Sequence, residues 1–267
     1  MSKLSDFIDT LDLDVDATYR CDCPVCGGRN TFTVTNDMGA LLYNCYKAGC
    51  TVHGAKQMNM DANMIRSLLM KAHEVSDSME THLKDEFVMP PYISPMKPDE
   101  PNLRNFMTKW NINSDDVFYD VRQDRVVFPI HTLDGVLVDA VGRSVFNVQP
   151  KWLRYGASPV PYVHGKGKTA VIVEDAISAY VIAEYFPNLT GVALLGTQLT
   201  DFHKWYIGCF WPDSVCVALD PDARNKTLSI IKELRPLVKT VQGLNIKDDL
   251  KYMLEEDVEL LEQLVNH

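Results

Sequence analysis

Two groups of side chains in this sequence have the types and spacing of chemistry. The first is four cysteines in two short pairs, Cys23/Cys26 and Cys45/Cys50, within CPVCGGRNTFTV…YNCYKAGC. C-x2-C and C-x4-C pairs set eighteen residues apart can wrap a tetrahedral Zn²⁺ from two knuckles joined by a β-hairpin. Gly27, Gly28 and Gly49 supply the tight backbone such knuckles need. Cys21 competes with Cys23 for one position, although the spacing and Pro24 favour Cys23, and His53 is an alternative to Cys50. The second group is Glu174, at the end of TAVIV, with Asp220 and Asp222 at the end of SVCVAL. Acids grouped in this way repel unless a divalent cation neutralises them, and hard oxygen donors suit magnesium or manganese.

The elements around these residues must bring them together. TAVIV, GVALLG, SVCVAL and VKTVQ read as strands, alternating with the helical runs AISAYVIAEYF, TDFHKWYIG and ARNKTLSIIKELR. That alternation implies a parallel sheet, and ligands of open α/β sheets gather beyond the carboxyl ends of the strands, where all three acids fall. Taken singly, Glu174 or Asp220 reads better as a helix cap. As a set they point to a metal. Asp220 and Asp222, two apart in an extended stretch, are expected to face one side.

Upstream, NTFTVT and ALLYNC read as strands flanking the turn NDMG, and DANMIRSLLMKAHEV as a helix capped by Asp61 or Asn59. The Pro-rich, charged run from Ser76 to Asn102 reads as a linker. NLRNFMTKWNI is an expected helix, and RVVFPIHTLDGVLVDAVGRSVF an expected hairpin turning at Asp134-Gly135. The segments are therefore 1–57, a small cysteine-bearing β module; 58–101, helix and linker; 102–165, an α+β subdomain; and 166–267, the alternating α/β part with C-terminal helices.

At 267 residues, with 46% hydrophobic and 23% charged residues, the chain has the composition of a globular protein. No window approaches the roughly 18 apolar residues of a membrane span, and the acidic start lacks a secretory core, so a cytoplasmic protein without membrane association is expected. Seven cysteines, five of them between Cys21 and Cys50, fit metal binding in a reducing compartment better than disulfides. Cys209 and Cys216, in apolar surroundings, are expected in the core.

A net charge of −10 argues against broad nonspecific nucleic-acid binding. The charge is uneven, however: from Arg125 to Lys168 there are six basic residues and two acids, enough for a phosphate-binding strip. Two motifs are decoys. The D-x-D at Asp220 has Arg224 where haloacid-dehalogenase-type phosphatases need Thr or Val, and HGKGKTA has Tyr162 where a P-loop needs glycine.

In order along the chain, CPVCGGRNTFTV…YNCYKAGC, DRVVFPIHTLDGVLVDAVGRS…PKWLRYGA, VIVEDAISA…LLGTQLT…VALDPDA and IKDDL resemble a phage-type DNA primase of the bacterial (DnaG-like) superfamily. The resemblance covers all but the N-terminal tail and the linker. It implies a zinc ribbon followed by a polymerase domain: a Toprim-type parallel-sheet core with an α+β basic subdomain. It implies catalytic, Mg²⁺- or Mn²⁺-binding acids at Glu174, Asp220 and Asp222, with Asp248 as a further metal acid and Asp249 its adjacent rival. Nucleotide and template would meet Arg125, Arg143, Lys151 and, more weakly, Arg122. Phe32, Tyr43 and Tyr46 would be stacking candidates, with core packing favoured for Phe32. The implied activity is synthesis of short RNA primers from ribonucleoside triphosphates on single-stranded DNA, beside a helicase on a separate chain, in a phage-infected bacterial cytoplasm. The sequence departs from the family in having Asp175 in place of the usual glycine, Ser178 where many members carry aspartate, and Arg224 and Asn225 in place of small residues.

A noncatalytic zinc/Toprim DNA clamp of the RecR recombination-mediator type uses similar parts. It has no counterpart to RVVFPI…PKWL, and its usual helix-hairpin-helix is not found. A Toprim nuclease or topoisomerase would need further machinery that no extra domain here supplies.

Overall fold

A computed structural model of the chain describes residues 3–13, 17–37, 40–57, 75–84, 86–95 and 99–265. The chain divides into two units, Met1–Asp77 and Ser78–His267.

In the first unit, helix α1 (Lys3–Asp9) is followed by β1 (Thr18–Cys21), β2 (Phe32–Asp37), β3 (Ala40–Cys45) and β4 (His53–Gln57). These strands form an antiparallel sheet in chain order. On β2, Phe32, Val34 and Asn36 point inward while Thr33 and Thr35 stay half-exposed, the period-2 pattern of a strand with one covered face. The expected hairpin is β2–β3. The polar TYRC and HGAKQ carry no comparable pattern and take the two edges, where strands need bury less. Phe32 is 0% exposed and meets the Phe7 ring at 6.1 Å, a core role, whereas Tyr46 is 67% exposed. Among the described residues the core is small: Ile8, Cys23, Phe32, Val34, Leu41 and Cys45. The helix expected over 61–75 lies, apart from its last residue, outside the described residues.

The second unit carries two sheets. The first is antiparallel throughout, in the order β5 (Ile93–Pro95), β6 (Phe118–Asp120), β7 (Arg125–His131), β8 (Leu137–Ser144) and β9 (Trp152–Arg154), with helix α2 over Pro101–Lys109. The β7–β8 hairpin turns at Asp134-Gly135 as expected. The expected linker is corrected. Residues 75–81 are helical, Met79 and Leu83 pack on the core, and Ile93 pairs with Asp120. Its prolines misled because β5 is an edge strand, where Pro95 forfeits no ladder bond.

The second sheet runs β10 (Tyr162–His164), β12 (Leu189–Ala193), β11 (Thr169–Val173), β13 (Ser214–Val217), β14 (Thr240–Gly243). Its four long-range neighbours β12, β11, β13 and β14 are parallel, and only β10 is antiparallel. Although β10 falls inside the 102–165 segment, it belongs to this sheet. Helices α3 (Ala176–Tyr185), α4 (Asp201–Phe210) and α5 (Arg224–Leu234) connect the parallel strands, and α6 (Glu255–Val265) closes the chain. The class is thus α/β with a parallel core, as expected. The residues Ala176–Ala183 are all buried, which suits a helix that is apolar all round. One core joins both sheets: Val126 and Phe128 belong to the same buried cluster as Ile172 and Tyr180. Each such side chain, taken fully out of water, contributes about 1.5–3 kcal/mol.

Cys216 is buried as expected, but Cys209 is exposed, because it lies on the outer side of α4 while Phe202, Tyr206 and Ile207 face inward. The apolar stripe of α6 packs on its own unit through Leu261, Leu264 and Val265. No helix among the described residues is long and apolar enough to cross a membrane.

Candidate active site

In the first unit, Cys23, Cys26, Cys45 and Cys50 bring their ligand atoms within 4.8 Å of one another, with the Cys26 and Cys45 sulfurs 3.7 Å apart. Two turns build this. The Gly27 amide donates to the Cys23 carbonyl and the Cys23 amide to the Gly28 carbonyl, both at 2.9 Å; in the second knuckle the Cys50 amide donates to the Lys47 carbonyl at 3.0 Å. Gly27 (φ 64°) and Gly49 (φ 82°) adopt the left-handed backbone that side chains disfavour. A hydrogen bond with Thr31 is the largest influence lowering the Cys45 thiol to about 6, opposed by burial. Four cysteine sulfurs gathered this closely fit Zn²⁺. Cys21, at the end of β1, and His53, at the start of β4, stand outside the set.

In the second unit, β11 and β13 are parallel neighbours with Ile172 opposite Val217. Glu174 leaves one strand and Asp220 follows the other, so both reach the same rim of the sheet. They line a cavity of about 280 Å³ together with Asp175, Asp249, Lys251, Arg143, Lys151 and Trp152. Glu174 Oε1 is buried and has no hydrogen-bond partner among the described residues. An unsatisfied group of this kind costs roughly 1–3 kcal/mol, more if charged. Burial is the largest influence raising the Glu174 carboxyl above its ordinary value, followed by the carboxylates of Asp220 and Asp222. Burial also raises Asp220, with Lys251 pulling against it and Asp175, Asp222 and Asp248 adding to it. An unpartnered buried oxygen beside a second raised carboxylate fits a small hard cation.

The other acids are placed differently. Pro221–Ala223 is a 3₁₀ turn and not an extended stretch, so Asp222 is exposed at the entry to α5 and lines no part of this cavity. Proline after Asp220 starts the turn that the period-2 reading overlooked. Asp222 remains close enough to influence both Glu174 and Asp220. Asp248 is exposed, while Asp249 is buried and lines the cavity. The buried Asp257 carboxylate on α6 accepts the amides of Lys247 (2.8 Å) and Asp248 (3.3 Å), which holds this segment in place. Among the described residues, no three acid oxygens approach as closely as the cysteine ligands do.

Asp175 caps α3, accepting the Ile177 and Ser178 amides at 2.9 and 3.0 Å. The loop beyond β12 also closes on the cavity. Leu195 holds φ 59°, a strained conformation for a branched side chain, and the Gly196 amide donates to the Glu174 carbonyl at 3.2 Å.

A second cavity of about 590 Å³ shares Arg143, Lys151 and Lys251 with the first. Among the described residues, Lys109 completes four cations in its lining, with Phe106, Trp110 and Tyr252 among the apolar groups and no carboxylate. Arg143 lies over the Trp152 ring at 5.4 Å and donates to Asn147 at 3.2 Å. Arg125 is only 2% exposed and donates to the Lys151 carbonyl at 3.3 Å. Arg122 is exposed and lies 4.4 Å over the Tyr92 ring, in neither cavity. Lys109 and Lys251 were not singled out in the sequence. Neither belongs to a motif, and only folding brings them to Arg143.

No family model matches the chain, and no curated protein matches it. Several solved structures are similar to it. One is a DnaG primase catalytic domain bound to ssDNA, 19% identical with a TM-score of 0.45, covering 62% of this chain and 60% of that one. The Aquifex aeolicus primase (zinc-binding and RNA polymerase domains) is 18% identical with a TM-score of 0.46, covering 100% and 83%. The E. coli primase catalytic core is 20% identical with a TM-score of 0.45, covering 76% and 73%. The chain thus spans 60% of the length of the first of these. The functional reading rests on the residues of this chain.

Proposed function

We propose that the chain is a DNA primase: it synthesises short RNA primers from ribonucleoside triphosphates on single-stranded DNA by divalent-metal-dependent nucleotidyl transfer. The observation that carries this reading is the acid cavity, with Asp220 and a Glu174 oxygen unpartnered among the described residues, opening beside a larger cavity lined, among those residues, by four cations and no carboxylate. Opposite charge in adjoining spaces suits a polyphosphate that must present one phosphorus to a metal.

In this proposal Glu174 and Asp220 hold Mg²⁺ or Mn²⁺, with Asp222 and Asp248 adding negative potential from the rim. When bound, the ion lowers the pKa of the attacking 3′-hydroxyl and neutralises charge gathering on the α-phosphate. Arg143 and Lys151 bind triphosphate oxygens and template phosphates, Arg143 with a planar fork and Lys151 as a mobile point charge. Arg125 keeps the Lys151 backbone in place through its carbonyl, and exposed Arg122 adds attraction for the template. Phe106, Trp110 and Tyr252 offer aromatic surface to a base. The cysteine set binds Zn²⁺, and its module reads the template, with Tyr43 and exposed Tyr46 available for stacking. The setting would be the cytoplasm of a phage-infected bacterium, with the helicase on a separate chain.

The test supplies labelled ribonucleoside triphosphates and single-stranded DNA with Mg²⁺ or Mn²⁺. Short RNA that disappears in Asp220→Ala supports the proposal. Binding of DNA without synthesis would favour a noncatalytic clamp, and nicked template a nuclease.

A further inference from the structure

The acids at the rim of the parallel sheet fall into two halves with opposite states. Asp175 is engaged through both of its oxygens. One oxygen accepts the Ile177 and Ser178 amides, and the other accepts the Lys251 ammonium at 2.9 Å. Asp249 is equally engaged: one oxygen takes the Ser178 hydroxyl at 2.6 Å and the Lys251 amide at 3.2 Å, and the other takes the Lys251 ammonium. These side chains and the lysine are largely withdrawn from water, at 17%, 11% and 12% exposure. On the other half, Glu174 Oε1 has no partner and Asp220 makes no side-chain cap among the described residues.

We propose that the Lys251 ammonium is a built-in cation that permanently fills the Asp175/Asp249 half of the cluster, so that the centre takes one divalent ion, on Glu174 and Asp220, and not two. Removing one partner of a buried pair leaves an uncompensated charge, so Asp175 and Asp249 hold the lysine firmly. A second divalent ion would have to displace it and break the Ser178 bonds as well. A single Mg²⁺ is content with one or two carboxylates, its remaining positions going to water and substrate phosphates. Lys251 lines both cavities, so the same ammonium also faces the space assigned to the triphosphate. It is a positioning residue: it fixes which carboxylates remain for the metal.

This inference rests on the metal-centre part of the proposed function, and the experiment separates the two. Free Mn²⁺ is counted by electron paramagnetic resonance while the zinc-loaded full chain is titrated without nucleotide. Wild type is expected to bind one Mn²⁺, at least ten-fold more weakly in Asp220→Asn. Lys251→Met, which leaves Asp175 and Asp249 without their cation, is expected to bind two, and Lys251→Arg to return to one. Two ions in wild type, none in wild type, or one ion in a folded Lys251→Met would overturn the inference. If Lys251→Met does not fold, the wild-type and Lys251→Arg counts decide. A protein that binds one ion lost in Asp220→Asn, yet makes no RNA, sinks the primase reading while this one stands. RNA synthesis with two bound ions does the reverse.

Discussion

The cysteine set and the acid cavity solve the same problem, holding like-charged ligands together, by opposite means. The cysteines are close in sequence, sit on two self-contained turns, and belong to a unit whose core, among the described residues, is six buried side chains. The acids come from the ends of strands far apart in sequence and stand on a sheet whose core was complete without them. A metal is thus expected to supply much of the folding energy of the first unit and almost none of the second. Metal dependence of stability and metal dependence of activity are separable in this chain.

Zinc removal tests that difference most strongly. Chelation, or Cys26→Ser, should unfold the first unit, because zinc binding to such modules supplies about 10–16 kcal/mol that the small core cannot replace. Amide NMR signals of β2 and β3 should collapse while those of β11 and β13 persist. Loss of both sets together would erase the contrast. Next in size, Glu174→Gln or Asp220→Asn should lower RNA synthesis by about 10²-fold or more, the scale of a lost transition-state electrostatic group. Their metal-free melting temperatures should not fall, since each change removes a raised carboxylate from a crowded rim.

A smaller effect is expected at the edge of the cavity. Asp175→Ala removes the α3 cap and should cost about 0.5–2 kcal/mol in urea unfolding. A loss beyond that range would measure the stranded Lys251 charge.

The smallest effect concerns pH. Because the carboxyls of Glu174 and Asp220 are raised in the folded state, first by burial and then by neighbouring acids, the native protein holds more protons than the unfolded chain just above the ordinary carboxylate range. Without Mg²⁺, stability should therefore fall as pH rises through that window. With saturating Mg²⁺, which binds the deprotonated acids, it should rise. Melting curves across this range with and without Mg²⁺ check the sign, and Glu174→Gln should flatten both slopes.

The same contrast explains what was legible beforehand. TAVIV, SVCVAL and the helices between them were readable because a strand buried on both faces must be apolar along its length. β5 was not, since an edge strand tolerates prolines that otherwise signal a linker. Arg143 and Lys151 do meet Glu174 and Asp220. Their partners Lys109 and Lys251 could not be found, since a lysine on a helix or loop has no sequence mark of what it will face.

The amino-acid sequence by itself determined the two cysteine pairs, the parallel α/β core and which strands end in acids, because each follows from local spacing or from the burial pattern of a single element. Only the tertiary structure decided which acids stay free. Asp249 and Asp175 are tied to Lys251 and Ser178, and Glu174 is left with an unpartnered oxygen. That division depends on Coulomb and hydrogen-bond contacts between residues more than seventy positions apart, and such contacts exist only once the strands have paired.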